Sequence, residues 1–347
     1  MNAIRDRTTG TLPPAWSAIR SFAGKPWFGA LVAAFLLWFV GGASANSLGL
    51  DFFAVNATSA AFLALAGIAQ MIVMASGGAS FDLSLPYIIT LSAYILSWAS
   101  GGMLGGSQLR GVVVALGVGA GAGLINALLI WVLKIPPMVA TLATGYILYS
   151  LIVGIQRNST SVASGGFQKL LRAQVFGFTG ALGVCLATLI VVGLVLSRGR
   201  YGRHLRAMGQ NREAARLAGV HLGSMVTINY VVSGVLAAWL GIIISSFQGA
   251  PSANLGTTYL MGSVAAVVVG GTTIAGGRTS VIGTALGALV LTFVVTDLIV
   301  WQMDPGYQNV IQGCIVIATV SLGGVIKLLR RSGAGRTRLT QRKVDKT

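Results

Sequence analysis

The chain has 347 residues, of which 54% are hydrophobic and only 9% charged, against about 25% charged in an ordinary water-soluble domain. With a mean hydropathy of +0.81 there is too little polar surface to cover a globule, and the apolar residues fall in runs of roughly 18 to 24, the length that crosses a bilayer core. The formal charge is +17, from 24 Lys and Arg against seven Asp and Glu, but the basic residues sit at the ends of apolar runs with no aromatic residues interleaved, which argues against nucleic acid and for a polytopic membrane protein.

Apolar runs between polar or glycine-rich breaks predict an all-α fold of ten transmembrane helices, at 27–45, 55–76, 83–100, 111–132, 138–156, 175–197, 224–247, 258–274, 279–300 and 306–326. They make one transmembrane domain over 27–326, between a basic N-terminal segment, 1–26, and a basic tail, 327–347. The first run ends in Ala43-Ser44-Ala45, which also fits a signal-peptide cleavage site; the long basic leader and the even span count favour a retained helix. With the N-terminus in the cytoplasm, the loops 133–137, 198–223 and 275–278 and the tail all lie inside. Twenty of the 24 basic residues are then inside, and only Arg110, Arg157, Lys169 and Arg172 outside, as the positive-inside rule requires.

Ten spans divide into two halves of five, so an internal duplication would be an inverted repeat with its axis in the membrane plane. Gly77-Gly78 followed by Asp82 loosely mirrors Gly270-Gly271 followed by Gly276-Gly277-Arg278, and the paired glycines read as structural breaks. Other glycines, such as Gly117, Gly119, Gly121 and Gly123, or Gly283 and Gly287, have the spacing that lets helix backbones approach closely in lipid.

Catalytic chemistry is hard to place on this chain. His204 and His221 flank a basic loop without metal-ligand spacing, Cys185 and Cys314 fall inside apolar spans, and no G-x-x-x-x-G-K-[ST] phosphate loop is present, so the chain has no means of hydrolysing ATP itself. Two acidic groups fall within the spanning region. Asp82 is placed to cap the start of the third span, and Asp297, near the outer end of the ninth, is placed to reach water.

The loop 198–223 is the informative segment. From Asn211 to Leu217 it predicts a short amphipathic helix stopped by Gly219, and it holds Glu213, the only glutamate in the chain. A short helix with small alanines and fixed charges fits a groove on a partner. Glu213-Ala214-Ala215 followed by Gly219 resembles the EAA loop of binding-protein-dependent ABC importer permeases, and the surroundings are similar to the ribose-type monosaccharide permeases. Three further segments carry the same resemblance: Gly77-Gly78 with Asp82-Leu83-Ser84, Ile135 to Leu142, and Ala265 to Thr272 continuing through Gly276-Gly277-Arg278. Together they cover about residues 50 to 325. Two departures stand out: two extra residues before Asp82 with Leu85-Pro86 after Ser84, and an outer segment from Arg157 to Phe178 without the usual glycine and proline pattern.

The resemblance implies the membrane subunit of a bacterial inner-membrane importer that moves a monosaccharide or similar small polar solute. It implies a separate cytoplasmic ATPase that uses ATP and Mg, a periplasmic solute-binding protein, and a second permease copy or paralogue; no cofactor is bound by this chain. Coupling to the ATPase falls on Arg203, Asn211, Glu213, Ala214, Ala215 and Gly219. Polar residues within spans, Asn56, Ser59, Gln70, Asn126, Thr141, Thr144, Asn229 and Ser233, are candidates for the pathway or for interhelical hydrogen bonds. The rival readings are an ABC permease for branched-chain amino acids or nucleosides, an ion-coupled carrier, which needs an intramembrane ion site, and a membrane-embedded enzyme, which needs clustered catalytic groups.

Overall fold

The computed structural model describes residues 27–47, 49–78, 80–101, 107–157, 166–273, 275–304, 306–308, 310–315 and 317–318. The basic leader and tail and the end of the tenth predicted span lie outside the described residues. The helices are α1 (Phe28–Ser44), α2 (Leu50–Ala75), α3 (Leu85–Gly101), α4 (Gln108–Trp131), α5 (Pro137–Gln156), α6 (Gly166–Arg172), α7 (Gly180–Arg198), α8 (Arg200–Gln210), α9 (Arg212–Leu217), α10 (Leu222–Gln248), α11 (Thr257–Val269) and α12 (Val281–Val300). A two-stranded hairpin, β1 (Gln174–Val175) and β2 (Phe178–Thr179), precedes α7. Its turn residues Phe176 and Gly177 both have positive φ, as a tight hairpin requires. The sixth predicted span, 175–197, therefore loses its first turn to the hairpin; Thr179 caps α7 by accepting from the N–H of Leu182.

Among the described residues, nine of the ten predicted spans are present as whole helices, and six of these, α2, α4, α5, α7, α10 and α12, are long and apolar enough to cross a bilayer alone. This is a multi-pass α-helical membrane protein. The apolar helices α1, α3 and α11 are shorter, with 17, 17 and 13 residues. The last two follow non-helical stretches, between Ala75 and Leu85 and between Gln248 and Thr257. Their first turns meet: the N–H of Gly256 donates to Thr90 Oγ1 at 3.0 Å, and a Cβ on Gly256 would overlap the Pro86 backbone. Helices that start inside the protein are shorter than a full span, and their free N–H groups are tolerated because protein surrounds them.

α2 and α10 form the centre, with 89% and 72% of their apolar windows buried, whereas α4, α5 and α7 turn most of their surface outward. The helix pairs match between the two halves. α4 lies along α10 as α12 lies along α2, α3 lies along α10 as α11 lies along α2, and α3 with α4 matches α11 with α12. Small residues make the close pairs possible. A Cβ on Gly119 or Gly123 would overlap the α10 backbone at Gly234 and Tyr230, and one on Gly283 or Gly287 would overlap α11 at Gly270 and Ala266. Gly117 and Gly121 have nothing within 4 Å.

The Gly77-Gly78 break and the stretch from Gly270-Gly271 to Gly276-Gly277 are not inverted counterparts. The N–H of Gly277 donates to the carbonyl of Ala75 at 3.1 Å, and Gly276 packs on Gly77, so the two breaks share one end of the molecule. Inversion would set them at opposite ends.

Candidate functional site

α9 is built by its two ends. Asn211, with extended backbone, turns Oδ1 to the N–H groups of Glu213 and Ala214 at 3.0 and 3.1 Å, the N-cap bonds that start the helix. Gly219, at φ 85°, stops it: the N–H of Val220 reaches the carbonyl of Ala215, and that of Gly219 reaches Arg216, both at 3.0 Å. Ala215 is buried under the turn, while Glu213, Ala214 and Leu217 face outward, Leu217 at 77% exposure. Glu213 and Arg216 pair bidentately on this face, at 2.5 and 3.2 Å. That bond raises the Arg216 guanidinium above its ordinary pKa.

Arg203 does not join that face. It donates to the carbonyl of Arg198, and Arg206 donates to Leu196 at 2.7 Å, so both satisfy free carbonyls at the C-terminus of α7 and hold α8 against it. The inner side of α8 buries Leu205 and Met208. At its end, Gly209 lies where a Cβ would overlap the carbonyl of Ala75 and the N–H of Gly277. Gly77, Gly209, Gly276 and Gly277 thus bring the α2–α3 break, the end of α8 and the α11–α12 turn together backbone on backbone. Gln210 and Arg212 add bonds across the junction, to the carbonyls of Gly277 at 3.5 Å and Gly77 at 3.3 Å. Gly270 and Gly271 end α11 beside it, Gly271 at φ 82°.

Asp82 lies fully buried just beyond the Gly77-Gly78 break. Its Oδ1 accepts from the Ser84 N–H at 3.0 Å and the Ser84 hydroxyl at 2.5 Å, and its Oδ2 accepts from Ser233 at 3.4 Å. Asn126 Nδ2 donates to Ser84 Oγ at 2.8 Å, and the Gln70 amide bridges the Asp82 backbone N–H and carbonyl at 3.2 and 3.3 Å. Thr141 accepts from the Leu83 N–H and donates to Phe81, fastening the same stretch to α5.

Four of the eight polar span residues, Gln70, Asn126, Thr141 and Ser233, thus gather around this stretch. Asn229 accepts from the Tyr201 hydroxyl at 2.8 Å and so ties α10 to α8. The other three do not join. Asn56 pairs with Thr296 at 2.5 Å, Ser59 is exposed on α2, and the Thr144 hydroxyl is buried without a partner among the described residues. Asp297 does not reach water: it is 2% exposed, against Gly41 of α1. Gly209, Gln210, Arg212 and Leu217 were missed by the motif reading; the alternation of buried Leu205 and Met208 with exposed arginines along 200–210 was the signal available for α8.

The fold and site define a multi-pass α-helical permease type: broken helices around a buried polar cluster, with an exposed helical loop on one end. The chain matches, over residues 52–320, the family described as the permease component of the branched-chain amino acid transport system, and it belongs to that family. It is 30% identical to the fructose import permease protein FrcC of Rhizobium meliloti over 271 residues, 76% of this chain and 74% of that one. It is 28% identical to the ribose import permease protein RbsC of Escherichia coli K12 over 260 residues, 72% and 78% of the two chains. The autoinducer 2 import system permease protein LsrD of Photorhabdus luminescens is 29% identical over 283 residues, 80% and 84% of the two. No solved structure matches the chain.

Proposed function

We propose that this chain is the membrane subunit of an ABC importer that carries a monosaccharide or similar small polar solute inward by alternating access. The relatives named for fructose and ribose support that solute class over branched-chain amino acids and nucleosides. The observation that carries the coupling role is α9: capped at both ends, it presents Glu213, Ala214 and Leu217 outward, while the adjoining α8 rests on the backbone of both glycine breaks. An apolar side chain as exposed as Leu217, on a polar loop, fits a groove on another protein. The ATPase that docks there binds ATP and Mg.

In this reading ten spans form two interlocked inverted halves, with both termini and the 198–223 loop in the cytoplasm, and the matched helix pairs support it. A second permease copy or paralogue completes the pathway, and a periplasmic binding protein delivers solute to the opposite end. The test is Glu213→Lys and Gly219→Asp in the reconstituted complex. Both are expected to abolish solute-stimulated ATP hydrolysis and uptake, while the protein still inserts and runs as a single species. Transport at the unsubstituted rate with either change overturns the assignment.

A further inference from the structure

The end of the molecule that carries α9 also holds a cleft of about 410 Å³ between α4, the turn that follows it, α9 and α10. That size falls in the ~300–1,000 Å³ range of small-molecule sites. Its wall includes Lys134, Arg212, Trp131 and Tyr230, with the rings of Pro136 and Pro137, and no Asp or Glu.

The donors are free to act on a ligand. Lys134 leaves α4 with φ at 55°, a left-handed conformation uncommon for any residue but glycine, and its side chain is exposed. Arg212 gives one nitrogen to the Gly77 carbonyl, and its fork carries further N–H groups. Tyr230 is 2% exposed and lines the cleft beside Ser80, whose hydroxyl donates to the Gly77 carbonyl.

These groups discriminate by chemistry. A neutral sugar presents donors and acceptors in equal measure and gains little from two cations. A phosphate presents acceptors and negative charge only, which is what an ammonium, a guanidinium and a phenol hydroxyl together match. Proline rings offer no N–H, and the apolar Ile130, Ile135 and Val226 line the same cleft. Basic pockets between transmembrane helices at the headgroup level hold anionic head groups in this manner.

We propose that this cleft binds a phosphate group, with Lys134 and Arg212 supplying charge and Tyr230 a hydrogen bond. Because Arg212 both lines the cleft and starts α9, an occupant biases the position of the coupling helix. The cytoplasmic placement of the cleft rests on the orientation proposed above; the chemistry of its wall does not.

The test uses the purified full-length chain and two phosphate sources: phosphatidylglycerol against phosphatidylcholine, scored as retained lipid by native mass spectrometry, and inorganic phosphate, scored by thermal shift. Lys134→Gln combined with Arg212→Gln is expected to weaken binding roughly tenfold or more, and Tyr230→Phe, which removes one hydroxyl and keeps the packing, a few-fold. Lys169→Gln, on α6 and outside the cleft wall, leaves binding unchanged. Variant-sensitive retention of phosphatidylglycerol assigns the phosphate to a lipid, and a variant-sensitive shift with inorganic phosphate assigns it to a soluble ion. Absence of both, or binding that neither Tyr230→Phe nor the double variant weakens, overturns the proposal. Neither assay needs the ATPase, so Glu213→Lys can lose transport while the cleft still binds, and the two readings fail separately.

Discussion

Asp82 and Asp297 both have almost no exposed surface and live in opposite surroundings. Asp82 accepts from Ser84 twice and from Ser233, and its backbone is held by Gln70. Asp297 is 2% exposed, and neither of its oxygens has a hydrogen-bond partner among the described residues. Burial alone therefore does not say what a carboxyl does in a spanning region; the donors around it do. Asp82 is the knot that joins α2, the break before α3, and α10, and through Ser84 it reaches α4. Asp297 is a polar group whose desolvation nothing in its surroundings offsets.

The comparison breaks most visibly if the two are removed. Asp82→Leu leaves the Ser84 N–H and hydroxyl and the Ser233 hydroxyl buried without an acceptor, and is expected to cost on the order of 3 kcal/mol, read as a fall in the midpoint of thermal inactivation in detergent. Asp297→Asn keeps the shape and removes the ionisable group; its midpoint is expected to stay level or rise, by up to about 2 kcal/mol. Equal losses from both substitutions would show that depth, not partners, sets the outcome. The smallest effect belongs to a third carboxyl, Glu213, which pairs with Arg216 on the open face of α9. Arg216→Gln is expected to leave the midpoint unchanged, since pairs this exposed hold two flexible side chains in water for little return. A clear drop there would mean that α9 is held by its ion pair and not by the Asn211 cap and the Gly219 stop.

Much of this was legible in the sequence because it is local. Nine spans follow from apolar runs, and α9 follows from an asparagine cap and a glycine stop six residues after Glu213. What was not legible is what depends on contacts far apart in sequence. α3 and α11 are hydrophobic enough to read as ordinary spans, and only the meeting of Gly256 with Pro86 and Thr90 shows that they begin inside the protein. The likeness of Gly77-Gly78 to Gly270-Gly271 with Gly276-Gly277 reads as a repeat, because paired glycines look the same whether they are copied by duplication or required by a shared contact. Asp297 was misplaced for the same reason: span position does not reveal which helix lies opposite.

Where Gly77, Gly209, Gly276 and Gly277 meet, the contact is mainly backbone on backbone, with the Gln210 and Arg212 side chains bonding across it. Side chains soften a contact, because they can change rotamer and absorb a small displacement. Peptide groups in direct contact have no such slack, so a shift of α8 must either carry the α2–α3 break and the α11–α12 turn with it or separate them. A methyl group at Gly209 or Gly276 would be a wedge, and the first thing it would remove is this all-or-none response.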